Sequence, residues 1–122
     1  MNASNPPPRP PISLGVADPG RIDRVVEDVR GVVELHLLEG DGWADTDHDR
    51  LLLGEKLYNY IAFVADGDLD CSHPGAPGWR VVLHWTANPS KPTMAVLRAA
   101  GAEIRSMGGR LELRIGRGDL SA

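Results

Sequence analysis

The sequence predicts an α+β domain, a two-layer sandwich in the order strand, strand, helix, strand, helix, strand, with a four-stranded mixed sheet and both helices on one face. Three observations lead there. Residues 51–69, LLLGEKLYNYIAFVADGDL, form the longest stretch with apolar residues at helical spacing. Residues 93–107 repeat that spacing, and four shorter runs alternate apolar and polar side chains as strands do. Two helices cannot cover both sides of so small a sheet, so both are placed on one face. If the last two strands are adjacent, the helix between them makes a right-handed crossover and the strands run parallel.

The chain of 122 residues suits one domain with one core. Hydrophobic content of 42% and charged content of 25% are those of an ordinary globular protein. No apolar run reaches the ~18 residues of a spanning helix, and the N-terminus lacks the layout of a signal peptide. One cysteine, Cys71, excludes an intrachain disulfide and fits a reducing compartment. The expectation is a cytoplasmic protein with no membrane association. A formal charge of −4 argues against nonspecific nucleic-acid binding, which needs a basic field.

Residues 1–11 hold five prolines and little to bury, so they read as a disordered tail outside a domain spanning 12–117; residues 118–122 form a second tail. Pro7-Pro8-Arg9-Pro10 has the bare spacing of a proline-rich ligand, which any such tail produces easily. Asp18-Pro19-Gly20 is a turn before strands at 22–27 and 32–39. Asp28 and Gly31 occupy the first and fourth places of a type I turn between them, making an antiparallel hairpin. In the second strand Val33, Leu35 and Leu37 face one way, and Glu34, His36 and Leu38 face a side expected to be largely wet.

The acidic run Asp45-Thr46-Asp47-His48-Asp49 leads into the main helix, where a side-chain oxygen can cap free amides and negative charge suits the helix dipole. Leu53, Leu57, Ile61 and Val64 make the core stripe, flanked by Leu52, Tyr60 and Phe63. Gly67 ends the helix, and residues 70–78 read as a loop dense in glycine and proline. A third strand follows at 79–86, with Trp79, Val81, Leu83 and Trp85 alternating against Arg80, Val82, His84 and Thr86. Pro92 opens the second helix, whose stripe is Met94, Leu97, Ala100 or Gly101, Ile104 and Met107. Gly101 costs that helix about 1 kcal/mol relative to alanine and marks close packing or a weakness. Gly108-Gly109 stops it before the strand at 110–116, with Arg110, Glu112 and Arg114 outward.

Trp43, the run Leu53-Gly54-Glu55-Lys56-Leu57, then Tyr60, Phe63, Val64, Asp66, Gly67 and Leu69, with Gly15-Val16, Asp18-Pro19 and Ile22-Asp23 upstream, resemble a bacterial family of uncharacterised proteins, a domain of unknown function. The resemblance covers most of residues 14–115 and departs at Gly54, where the pattern carries a larger polar residue. It implies an α+β domain in a bacterial cytoplasm and supplies no catalytic residue; no cofactor is expected.

Candidate sites are therefore weighed on chemistry. Asp45, Asp47 and Asp49 sit at alternate positions, but a calcium loop beginning there needs glycine where Arg50 stands and glutamate where Lys56 stands; no metal is expected. Asp66, Asp68 and Asp70 fail the same test at Cys71. Cys71 and His73 lack the second ligand pair of a zinc site and an orienting third group for nucleophilic chemistry. Lys56 reads as a stem on apolar surface with its ammonium in water. His36 and His84 lie on outward strand positions and, with Glu34, Arg80 and Arg114, compose a face able to hold a small anion. Trp43 with Asp45, Asp47 and Asp49 is the candidate contact for a protein partner, and any exposed tryptophan is an anchor for one. The leading expectation is a non-enzymatic protein-binding or accessory module, immunity-like in size and charge and able to form a homodimer. The competing one is a small-molecule or anion-binding protein, or an enzyme, at His36 and His84.

Overall fold

The computed structural model describes residues 22–39, 43–85 and 88–116. The proline-rich tail, the turn at Asp18-Pro19-Gly20, the domain's first residues and the tail at 118–122 lie outside the described residues. The architecture is α+β: an open, mixed four-stranded sheet and three helices. The elements are β1 (Arg24–Glu27), β2 (Val33–Leu38), α1 (Asp47–Ala65), α2 (Asp68–Ser72), β3 (Trp79–Trp85), α3 (Lys91–Ser106) and β4 (Gly109–Ile115). The strands lie in the order β1-β2-β3-β4. β1 and β2 are antiparallel, whereas β2 with β3 and β3 with β4 are parallel, as helix-bearing crossovers require.

The hairpin turn forms as expected. Gly31 N–H donates to the Asp28 carbonyl at 2.9 Å, and the Asp28 carboxylate accepts from Arg30 N and Val32 N. Thr46 caps α1 by accepting from Asp49 N, while the Asp49 carboxylate faces back to Thr46 N, a reciprocal capping box. Gly67, at φ +87°, ends α1 at the expected point. The composition of residues 70–78 predicts a loop, but the chain first turns once more as α2 over Asp68–Ser72 and buries Leu69. Five residues are too few for periodicity to reveal.

Val33, Leu35 and Leu37 of β2, Val81 and Leu83 of β3, Leu53, Leu57 and Tyr60 of α1, and Leu97 and Ile104 of α3 belong to one buried cluster. At its edge, the Trp79 indole occupies the space beside Gly109, where a Cβ would sit 2.5 Å from the ring. That strand can begin only with glycine.

Two expectations about solvent are corrected. The sheet side bearing Glu34, His36 and His84 is not wet: these residues are 9%, 7% and 6% exposed, and Val82 between them is fully buried. Lys56 does not reach water either. Its side chain is wholly buried, and so is that of its partner Asp23.

Candidate functional site

The register brings the face together. Glu34 and Arg80 are direct cross-strand partners on β2 and β3, and His36 lies opposite Val82, one strand period from His84. Arg80 donates through Nε and Nη2 to Glu34 Oε2 at 2.9 and 2.6 Å, and Nη2 also meets Asp28 Oδ2 at 2.9 Å. The other carboxylate oxygen, Oε1, is 2.9 Å from His36 Nε2. His36 Nδ1 is 2.7 Å from His84 Nε2. The rings are within 12° of coplanar, and so short a nitrogen contact makes them meet edge to edge rather than face to face.

Hydrogen-bond directions follow from the carboxylate. Glu34 only accepts, so His36 donates from Nε2–H and leaves Nδ1 as an acceptor; neutral His84 must then donate from Nε2–H. The result is a one-way chain, His84 to His36 to Glu34, closed by the Arg80 guanidinium. Burial pushes the Glu34 carboxyl up, but hydrogen bonds from Arg80 and His36 outweigh it and hold the group below the ordinary carboxylate range. Chemically this is acid–base apparatus: a proton taken by His84 would be stabilised through His36 by a carboxylate. Arg114 stays apart. It is exposed and pairs with Glu112 at 2.7 Å.

The acidic run is turned inward on its own helices. Asp45, at φ +60°, accepts from Ser90 Oγ, Thr93 Oγ1 and Arg50 Nη1, which ties the start of α1 to the start of α3. The Thr93 hydrogen bond, with those from Ser90 and Arg50, holds its carboxyl below the usual range against the opposing effect of burial. Asp49 serves the cap, and exposed Asp47 pairs with Arg50. The tryptophans are not exposed anchors. Trp79 and Trp85 are buried, and half-buried Trp43 packs edge-on against Trp85 with centroids 5.0 Å apart. Cys71 is exposed, but His73 turns toward Glu27, 3.6 Å away. Among the described residues no group of three or more His, Cys, Asp or Glu could hold a metal ion. None of their helices is long and apolar enough to cross a membrane.

Two features escaped the sequence reading. The first is a buried cluster on α1: Lys56 Nζ donates to Asp23 Oδ1 at 2.5 Å, and Asp23 Oδ2 accepts from Leu38 N. Four residues along, Tyr60 OH donates to the His36 carbonyl and accepts from Asp23 N. Burial raises the Tyr60 hydroxyl well above its ordinary pKa, so it remains a neutral donor. The signal was the i, i+4 spacing of Lys56 and Tyr60. The second is the outer side of α1. Leu51 and Tyr58 are 61% and 69% exposed, and with Gly54 and Val96 of α3 they line a shallow cleft rimmed by Arg50 and Glu55.

A family model described as a family of unknown function (DUF6572) matches residues 14–117. No curated protein and no solved structure matches the chain.

Proposed function

The chain belongs to this family of unknown function, and on that premise we propose that it is a non-enzymatic protein-binding module of the bacterial cytoplasm. One observation carries the reading: α1 presents large apolar side chains on its outer side as well as on its inner one. Its inner residues Leu53, Leu57 and Tyr60 are buried, while Leu51 and Tyr58 stand exposed on its outer side with Val96 of α3 beside them. Large apolar side chains left exposed beside one another on a helix mark a contact surface. Here the outer side supplies a leucine, a tyrosine and Val96 around a glycine floor, the composition of a contact patch rather than of a catalytic cleft. The finer layering, a two-layer sandwich with both helices on one face, belongs to the same proposal and is supported by the single cluster that α1 and α3 share with the sheet.

The test is purification from the native organism with the wild-type chain and with Leu51→Glu/Tyr58→Glu. A protein retained by the first and lost by the second, with thermal unfolding unchanged, supports the reading. A homodimer lost in the variant identifies a second copy as that partner. If the variant retains everything the wild type retains, the docking surface is wrong.

The aligned Arg80–Glu34–His36–His84 chain favours a second reading, a small-molecule or anion site, or an acid–base enzyme, at that face. It requires a His36→Gln/His84→Gln variant to lose a ligand or a cellular phenotype. A folded variant with both intact eliminates it.

A further inference from the structure

We propose that the groove between α3 and the edge strand β4 binds an aliphatic carboxylate, a site distinct from both the docking surface on α1 and the histidine face. The groove is about 300 Å³, the lower end of the ~300–1,000 Å³ usual for small-molecule sites. Its floor is aliphatic, from Met94 and Leu97 on α3 and Leu111 and Leu113 on β4. The charged side chains that line it are Arg98 and Arg105, with no acid beside them, in a chain of net charge −4. Among the described residues neither arginine has a carboxylate within ion-pair distance.

Gly101 shows how the parts converge. It is buried mid-helix, three residues after Arg98 and four before Arg105. The Arg105 guanidinium folds back over it, with Nη1 3.6 Å from the place a Cβ would occupy. The other nearest atoms to that Cβ belong to Leu111, at 3.5 and 3.8 Å, and nothing is closer than ordinary contact. Packing therefore does not demand glycine here, and the backbone is helical. Yet glycine costs a helix interior about 1 kcal/mol relative to alanine. The missing methyl leaves room under Arg105, where the groove turns from aliphatic to cationic. An alkyl chain on Leu97, Leu111 and Leu113 would place its carboxylate at the Arg98 and Arg105 guanidinium groups, whose planar forks suit a carboxylate.

Octanoate is the probe, titrated into the full chain and followed by amide chemical shifts, with 1-octanol to supply the chain without charge and acetate the charge without chain. Octanoate should saturate, with shifts confined to residues 94–105 and 111–113, and both controls should bind at least tenfold more weakly. Arg98→Gln/Arg105→Gln should weaken octanoate at least tenfold and leave octanol unchanged. Gly101→Ala should raise the melting temperature while weakening octanoate several-fold. The proposal is overturned if octanoate does not saturate, if its shifts lie elsewhere, or if the arginine variant binds it as the wild type does. It is equally overturned if sedimentation shows a dimer whose second copy covers these residues.

Discussion

Two buried polar clusters sit on β2, and they are built on opposite plans. In the first, Lys56 of α1 pairs with Asp23, and Asp23 and Tyr60 then reach main chain: Asp23 accepts from Leu38 N, and Tyr60 bridges Asp23 N and the His36 carbonyl. That cluster fastens the start of β1, the end of β2 and the middle of α1 at one point. In the second cluster, Arg80, Glu34, His36 and His84 bond side chain to side chain along the β2–β3 ladder, whose own backbone pairing does not need them. The comparison separates burial that secures a fold from burial that aligns titratable groups. Both lie within two residues of each other on one strand, so proximity does not decide which role a buried charge takes.

The largest effect should come from the fastening cluster. Lys56→Met leaves the Asp23 carboxylate buried and unpaired by its ammonium, and removing one member of a buried pair costs about 3–5 kcal/mol. Chemical denaturation measures it. Lys56→Met/Asp23→Leu should recover part of the loss, because the stranded charge is gone. If the single variant unfolds within about 1 kcal/mol of the wild type, the cluster is not a fastening. Glu34→Gln in the other cluster should cost less, about 1.5–3 kcal/mol, since charge-assisted bonds are lost but no main-chain group is orphaned.

The same variant has a pH signature of fixed sign. The folded Glu34 carboxyl lies below its ordinary 4.5, so the unfolded chain takes up that proton first as pH falls. Its stabilisation is present above 4.5 and is lost as pH drops from there through the lower folded value. Stability against pH should therefore fall less steeply below 4.5 in Glu34→Gln than in the wild type. Asp45, also held low, has other partners and contributes equally to both chains, whereas Asp28 shares Arg80 with Glu34 and is followed by its own carboxyl signal. Parallel curves would sink the assignment. Tyr60→Phe should cost about 1–3 kcal/mol, because Asp23 N and the His36 carbonyl lose the hydroxyl between them although the ring still fills the core.

Much of the fold was legible because it rests on local rules. A cap from among Asp45, Thr46 and Asp47, which proves to be Thr46, Gly67 as terminator and the Asp28–Gly31 turn are set by residues within four positions of each other. The residues whose pattern suggested the family, among them Asp23, Lys56 and Tyr60, proved to meet in space, although 33 positions separate the first two. Their meeting was not legible. Whether a lysine on a helix flank reaches water depends on what lies beyond it, and a buried Lys56 reads the same in one dimension as a snorkelling one. The histidines show the converse: alternation placed Glu34, His36, Arg80 and His84 on a common face, but exposure does not follow from alternation. Likewise the charges of Asp45 and Asp49 suggested a contact surface, and only the third dimension shows that Ser90, Thr93 and the capping box occupy them.

The finest distinction between the clusters concerns protons rather than stability. Only one hydrogen fits between His36 Nδ1 and His84 Nε2 at 2.7 Å. With Glu34 accepting from His36 Nε2, both neutral rings must carry their hydrogen on Nε2. Where both rings are neutral, nitrogen NMR should therefore report two Nε2–H imidazoles. The shared hydrogen should be protected from exchange in the wild type and exposed in Glu34→Gln, where an amide can also donate to His36 and no longer dictates its tautomer. Finding His36 as Nδ1–H in the wild type would reverse the direction of the chain, and the side-chain cluster would then differ from the Lys56 cluster in geometry alone.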